Sequence, residues 1–353
     1  MNFFKLYKNI VFLLPAETAH HLALWILKNR LILPAIQFNH PSLNTKIAGI
    51  DFKNPVGLAA GFDKNANAIK ALSKHNFGFL EAGTVTPLPQ DGNPKPRLFR
   101  LSEDEAIINR MGFNNIGAIE FKKNYLKHRN INIPVGINIG KNKLTESETE
   151  DYLKLIEFFQ NIGSYITINI SSPNTPNLRA IQKKEVLEDF ILQLTEKRSQ
   201  LGSKKLFLKI APDVSDSELN DICKIALKYN IDALIINNTT ITRPESLRSK
   251  HKEEAGGLSG KPLLKTSNQK IANAYKILKG QIPIIGVGGI SSAEDAYEKI
   301  KSGASLVQIY SALIYKGLYL TTEINKGLVK LLEKDGYSNI SEAVGSALSG
   351  NQI

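Results

Sequence analysis

The chain has 353 residues, 42% apolar and 22% charged, enough for one large or two ordinary globular domains, and its single cysteine excludes a disulfide framework. Its six histidines show no ligand spacing, because the neighbours His20 and His21 would point apart on a helix, so a metal centre is not indicated. The formal net charge is +12, yet no Lys/Arg run exceeds two residues, which suits anionic surfaces in general and does not indicate nucleic acid.

Phe3, Phe4, Tyr7, Ile10, Val11 and Leu14 recur at helical spacing, and a second apolar pattern runs from Ala16 to Leu27 beyond Pro15. Residues 1–40 therefore predict a helical hairpin with an oily face. No bilayer span is expected, because Pro15, Glu17 and His20-His21 interrupt the roughly 20 apolar residues that one requires. A secretory signal fits poorly, since the apolar run Ile10 to Leu14 is short and Pro15-Ala16-Glu17 continues it badly. Periodicity alone favours a helix pair packed on the main domain slightly over an interfacial membrane anchor.

After Pro41, short β-rich runs alternate with longer amphipathic ones. The strands expected are Pro55–Ala60, Gly78–Gly83, Ile133–Asn138, Ser164–Asn169, Leu206–Ile210, Asp232–Asn237, Ile282–Gly286 and Ser305–Ile309. The helices expected are Asn65–His75, Asn115–His128, Ser147–Asn161, Lys184–Gln200, Asp216–Tyr229, Leu263–Leu278, Ala293–Lys301 and Leu318–Leu332. Eight strand-helix units predict an α/β protein of the (β/α)8 TIM barrel type over 41–335, with an open doubly wound sheet as the alternative. Long insertions follow the second strand (Thr84 to Asn114) and the sixth (Asn238 to Pro262), on the side where barrel enzymes hold their chemistry. Cys223 falls in the helical pattern Leu219-Ile222-Ala226 and reads as a packed thiol. The Ser/Gly/Asn-rich tail, 336–353, is expected to be loosely packed.

The ends of the eight strands share one character. They deliver Lys64, Thr84, Asn138, Asn169 with Ser172 and Asn174, Lys209, Asn237 with Asn238, Gly288-Gly289, and Tyr310-Ser311. Each has a plain explanation as a cap, a turn or a surface charge, but their joint occurrence on one rim points to a ligand site. The loop Asn169 to Pro176 offers carboxamides and hydroxyls between two prolines that hold Ser172 and Thr175 extended. Gly286-Val287-Gly288-Gly289 ahead of a helix, with Tyr310-Ser311 after the last strand, suggests a phosphate site. Lys209 ends an apolar strand, so its ammonium should be partly desolvated and seek an anion. Asp63 is read as orienting Lys64, and no carboxylate pair falls on the rim for glycosidase chemistry.

Seven motifs then match a known family: Ala59-Ala60-Gly61-Phe62-Asp63-Lys64, Glu81 to Pro87, Asn109 to Asn114, Asn138 to Asn142, Asn169 to Pro176, Gly256 to Gly260, and Gly286 to Ile290. Over nearly its whole length the sequence resembles the class 2, quinone-dependent dihydroorotate dehydrogenases. The resemblance implies FMN held by Ala60, Gly61, Phe62, Asp63, Lys64, Thr84, Asn138, Asn169, Lys209, Asn237, Gly260, Gly288, Gly289, Tyr310 and Ser311. It implies dihydroorotate gripped by Lys64, Asn109, Arg110, Met111, Gly112, Phe113, Asn169, Asn174, Asn238 and Thr239, a lining apt for a small anionic ring. Ser172 is implied as the base that takes the C5 proton, relayed by Thr175 with a water, in the position where class 1 relatives use cysteine. The N-terminal pair is implied to dock on an anionic membrane surface and admit quinone past His20, Arg100 and Tyr310, which overturns the preference drawn from periodicity. A peripheral protein on the cytoplasmic face of the bacterial inner membrane is expected. Asn237 departs from the family, which often has Thr there.

The competing reading is an FMN-dependent RNA-modifying barrel resembling the dihydrouridine synthases. That family would want a rim cysteine and an RNA-binding helical domain, and neither is visible. A non-catalytic phosphate-binding barrel is the third reading.

Overall fold

A computed structural model describes residues 4–351 except residue 129; Phe3 and the last residues of the tail lie outside it. The N-terminal hairpin is α1 (Phe4–Phe12) and α2 (Ala16–Lys28), followed by an antiparallel pair, β1 (Thr45–Ile47) and β2 (Ile50–Phe52). Then come β3 (Val56–Leu58), α3 (Ile69–Leu72), β4 (Phe79–Val85), β5 (Leu98–Leu101), β6 (Ala106–Asn109), α4 (Gly117–Leu126), β7 (Val135–Ile139), α5 (Glu148–Phe159) and β8 (Tyr165–Asn169). The chain continues through α6 (Lys184–Leu201), β9 (Leu206–Ile210), α7 (Asp216–Lys228), β10 (Ala233–Ile236), β11 (Gly257–Gly260), α8 (Leu264–Leu278), β12 (Ile284–Val287), α9 (Ala293–Lys301), β13 (Ala304–Ile309), α10 (Ser311–Lys316) and α11 (Leu320–Asp335). Strands β3, β4, β7, β8, β9, β10, β12 and β13 close into a parallel barrel, and all eight coincide with expected strands.

Strand periodicity divides these residues between two cores. Leu58, Leu80, Ile137, Ile168, Leu208 and Ile236 face outward into the main apolar cluster beneath the helices. Phe79, Tyr165, Phe207, Ala233, Ile235, Ile285 and Leu306 face inward, with Phe52 from the β1–β2 hairpin completing that inner cluster. The rings of Tyr165 and Phe207 stack with centroids 4.2 Å apart, and Phe52 meets Phe79 edge-on at 5.3 Å. Both faces being buried explains why the strands read as nearly unbroken apolar runs.

Capping explains why several helices begin where the sequence suggested. Ser215 and Glu218 form a capping box at α7, and the Ser292 hydroxyl accepts from the Asp295 amide at α9. The first expected helix shrinks to Ile69–Leu72 because Ala66 adopts a left-handed φ of 55° and Asp63 turns the chain ahead of it. Asp63 therefore does not orient Lys64: its carboxylate accepts from the amides of Asn67 and Ala68, both at 2.8 Å. The tail also departs from expectation, with Ile340 and Ala343 fully buried and Val344 packed against the main core.

The two insertions meet each other. One supplies β5 and β6, the other β11, and they pair in the order β11-β6-β5 as an antiparallel sheet with its own apolar cluster around Phe99, Leu101, Ile108 and Leu258. The N-terminal hairpin docks on this sheet. The Arg97 guanidinium grips Glu17 of α2 at 2.8 Å and 3.1 Å, with both side chains buried, and donates to the carbonyls of Asp91 and Asn93. Arg100 donates to the carbonyls of Phe12 and Leu14 and lies 4.6 Å over the Phe12 ring.

Breaking a buried ion pair from one side costs about 3–5 kcal/mol, because the partner is left as an uncompensated charge. Glu17→Ala should therefore loosen the hairpin and make residues 1–40 sensitive to limited proteolysis. The double variant Glu17→Leu with Arg97→Met should regain resistance.

Candidate active site

A cleft enclosing about 1450 Å³, its open mouth included, lies at the C-terminal ends of the barrel strands and under the β11-β6-β5 sheet. Inward-facing residues change character as the strands rise: Phe79 gives way to Glu81, Tyr165 to Thr167 and Asn169, Phe207 to Lys209, and Leu306 to Gln308 and Tyr310. An apolar floor thus passes into a polar mouth along single strands, by period-two alternation.

Glu81 starts the polar layer. Its carboxylate accepts from Asn138 Nδ2 at 2.8 Å, Thr167 at 3.1 Å, Gln308 at 3.0 Å and Tyr165 at 3.4 Å. Because a carboxylate offers no N–H, the Asn138 amide must turn its nitrogen down and its oxygen up. That oxygen accepts from Thr84 Oγ1 at 2.5 Å and from Asn169 Nδ2 at 3.2 Å. Asn169 Oδ1 in turn accepts from the Ser171 hydroxyl at 2.8 Å and from Asn238 Nδ2 at 3.4 Å. Glu81, Gln308 and Ser171 were given no role from the sequence, although Glu81 and Ser171 fall inside motifs that carry the resemblance. A glutamate inside the apolar run Phe79-Leu80-Glu81-Ala82 was the available signal for the first.

Of the residues expected to form a site, the cleft is lined by Ala60, Gly61, Lys64, Thr84, Asn109, Met111, Gly112, Phe113, Asn169, Ser172, Asn174, Lys209, Asn237, Asn238, Thr239, Gly260, Gly288, Gly289, Tyr310, Ser311 and His20. Six expected residues stand back from it. Asn138 lies one hydrogen bond below, Asp63 caps its turn, and Phe62 packs edge-on against His20 and Tyr310 with centroids at 5.4 Å and 5.6 Å. Arg110 reaches away to Glu254 at 2.7 Å, and Arg100 points at the α1 carbonyls rather than into the cleft. Thr175 is buried within the loop, and among the described residues it makes no hydrogen bond with Ser172.

The loop over the cleft is held from several sides. Asn174 Nδ2 donates to Asn109 O at 3.0 Å, and Asn93 Nδ2 donates to Arg110 O at 3.0 Å and Asn174 O at 3.3 Å. Arg179 ties the Ser171 and Thr239 carbonyls together at 3.0 Å and 2.8 Å. The Ser172 hydroxyl, almost fully buried, accepts the Asn174 amide at 3.2 Å. Lys64 Nζ donates to Asn114 at 2.6 Å, and burial, with Arg97 nearby, pushes its ammonium down to about 7. Burial, with Lys64 and His21 adding to it, pushes the His20 imidazole down to about 3. Burial likewise lowers Lys209, an effect that Glu81 opposes, so the sequence-based expectation of a desolvated lysine holds.

Among the described residues three polar atoms at the floor have no partner: both amide atoms of Asn237 and the Oε1 of Gln308, all fully buried. Unpaired buried groups cost about 1–3 kcal/mol each, a cost that a ligand with matching donors and acceptors would remove. Together with the Lys209 cation they offer donors and acceptors to a flat, heteroatom-rich ring. At the far end Gly288 and Gly289 adopt consecutive left-handed φ values of 118° and 79°, a backbone shape that favours glycine and exposes amides. This combination fits a flavin with a phosphate tail. Among the described residues no group of His, Cys, Asp or Glu could hold a metal ion.

Residues 42–332 match the family model described as dihydroorotate dehydrogenase. Relatives named dihydroorotate dehydrogenase (quinone) include one from Xanthobacter autotrophicus, 45% identical over 98% of this chain and 99% of its own. Another, from Novosphingobium aromaticivorans, is 46% identical over 97% of this chain and 99% of its own. Among solved structures, ligand-free dihydroorotate dehydrogenase from Eimeria tenella superposes with a TM-score of 0.90 at 40% identity, covering 94% of this chain and 98% of that one. The same enzyme in complex with ferulenol gives 0.90 at 39%, covering 94% and 95%. With the family model spanning the barrel and these relatives spanning the hairpin as well, the chain belongs to the dihydroorotate dehydrogenase family.

Proposed function

We propose that the chain oxidises (S)-dihydroorotate to orotate in pyrimidine biosynthesis, with FMN as its flavin and a membrane quinone as the final electron acceptor. The family is a class of flavoenzymes, and its quinone-linked members are the relatives that match here end to end. The observation that carries the reading is the cleft itself, where Ser172 and Lys64 share a wall with four carboxamides above unpaired polar atoms suited to a flavin. FMN, when bound, supplies the two-electron acceptor. It would be held by Lys209, Asn237 and Gln308 at the ring and by Gly288, Gly289 and Ser311 toward the phosphate.

Asn109, Asn169, Asn174 and Asn238 present mixed donors and acceptors to the imide and amide edges of the substrate, and Lys64 faces its carboxylate. Ser172 Oγ is placed to take the C5 proton as the hydride leaves C6, for which FMN, when bound, would supply the acceptor, so that the C5–C6 bond becomes double. The Asn174 N–H donates to Ser172 Oγ and favours its anionic form, which brings a weak base closer to its task. Thr175, which makes no direct bond with Ser172 among the described residues, is proposed to pass the proton on through a water. The RNA-modifying alternative has no rim cysteine to act: Cys223 lies buried on α7, where burial pushes its thiol up to about 12.

The quinone enters between the hairpin and the cleft, past His20, Phe62 and Tyr310. Ile10, Leu13, Leu22, Trp25, Leu31, Leu33 and Ile36 supply half of the large apolar side chains left exposed among the described residues. A patch of that kind marks a surface waiting for a partner or a membrane. Among the described residues no helix is long and apolar enough to cross a membrane. The exposed apolar patch supports the reading that the hairpin rests on an anionic bilayer surface, proposed as the cytoplasmic face of the inner membrane. Nucleic acid is no partner in this reading.

Anaerobic dihydroorotate should bleach the flavin absorbance and a short-chain quinone should restore it; a flavin-loaded chain that does not bleach would reject the activity. In Ser172→Ala the bleaching should slow by about 10²–10⁴-fold with FMN retained. Lys64 binds the substrate anion only when protonated. KM for dihydroorotate should therefore be lowest below pH 7, rise about tenfold per unit above it, and lose this rise in Lys64→Met. Trp25→Glu with Leu33→Glu should abolish sedimentation with anionic vesicles while turnover with a water-soluble quinone persists.

A further inference from the structure

Lys299, on α9, is completely buried, and among the described residues its ammonium has no carboxylate partner. It donates to Ser267 Oγ at 2.8 Å and to Asn268 Oδ1 at 2.6 Å, both on the first turns of α8. Ser267 passes the contact on, donating to Val287 O at 2.7 Å at the entry to the Gly288-Gly289 turn. A Cβ placed on Gly288 would lie 3.3 Å from the Ser267 side chain, and one on Gly286 would strike the Lys299 stem at 2.7 Å. The glycine backbone is thus pressed against the serine and lysine that stand behind it. A buried cation without a counter-ion is costly, and such a group persists where an anion arrives to match it.

We propose that Lys299 is the positioning charge for the FMN phosphate, acting from behind the Gly288-Gly289 turn and holding that turn through Ser267. This rests on the FMN reading above. The phosphate meets the backbone amides, and Lys299 adds a full positive charge through a low-dielectric layer where charges act strongly. Without the phosphate, burial pushes Lys299 down to about 7, and only Glu298 and Asp295 of its own helix oppose this. The groups meeting it from α8 are neutral, as are Gly286 and Ala304 on the adjoining strands. Arrival of a phosphate dianion raises the affinity of Lys299 for its proton, so loading of the cofactor above pH 7 takes up a proton there.

The test titrates the full chain, stripped of flavin, with FMN and with riboflavin, which lacks the phosphate. Fluorescence quenching reads affinity, and calorimetry in buffers of different ionisation enthalpy reads protons. Lys299→Met keeps the stem against Gly286 and replaces a buried charge by an apolar group, a change that folded proteins commonly tolerate. The variant should bind FMN at least about tenfold more weakly, bind riboflavin within about twofold of wild type, and lose the proton uptake seen at pH 8. Equal loss for both flavins would mark Lys299 as structural and overturn the proposal, as would unaltered FMN affinity or unaltered proton uptake. A wild-type chain that binds riboflavin as tightly as FMN would remove the phosphate contact, and one that binds neither flavin would overturn the cofactor reading together with this assignment.

Discussion

A carboxylate accepts hydrogen bonds and donates none, and Glu81 places one inside a barrel where every neighbour must adjust to it. Four donors converge on it, and from the first of these the orientation of each amide above is decided in turn: Asn138 nitrogen down, Asn169 nitrogen toward Asn138, Asn238 nitrogen toward Asn169 and Ser171. An amide free to flip would present donor and acceptor to a ligand in either order. Here the order is set from below, so the cleft meets its ligand with a defined pattern. Burial lowers Lys209, and Glu81 opposes that effect. Buried networks of this kind demand full satisfaction, and the atoms left over, on Asn237 and Gln308, are those that face the cofactor's place.

The second constraint is mechanical. The loop over the cleft is held by Asn93, the Asn93 carbonyl is held by Arg97, and Arg97 is held by Glu17 on the hairpin. The surface proposed to rest on the membrane is therefore joined by hydrogen bonds to the loop proposed to cover the substrate. Both insertions share this work, since their three strands form one sheet that walls the cleft on one side and seats the hairpin on the other. Apolar packing alone would leave the hairpin free to slide, and the buried ion pair gives the docking a register.

Lysines desolvated around the cleft give it a common electrostatic character. Lys64 at the mouth, Lys209 at the floor and Lys299 behind the glycine turn are each lowered by burial in a site read here as binding two anions. A scattered charge of +12 gave no hint of this, because the informative cations are those removed from water.

The eight strands were legible because burial on both faces writes a short apolar run for each, and several helices because serine caps mark their starts. The rim residues were legible as a set because alternation carries polar side chains to strand ends, and their assigned roles came from resemblance to a family rather than from periodicity. Gln308 and Lys299 were not legible in their roles, and Glu81 stood out only as a lone carboxylate in an apolar run. The meaning of all three comes from partners 31 to 227 residues away. The pairing of the two insertions and the packing of the tail also depend on long-range contacts that no local pattern encodes. Sequence by itself determined which segments are strands and helices, because those depend on period and on near neighbours. Which atoms face one another across the cleft was decided only when the barrel closed, because closure sets distances between residues that the chain keeps far apart.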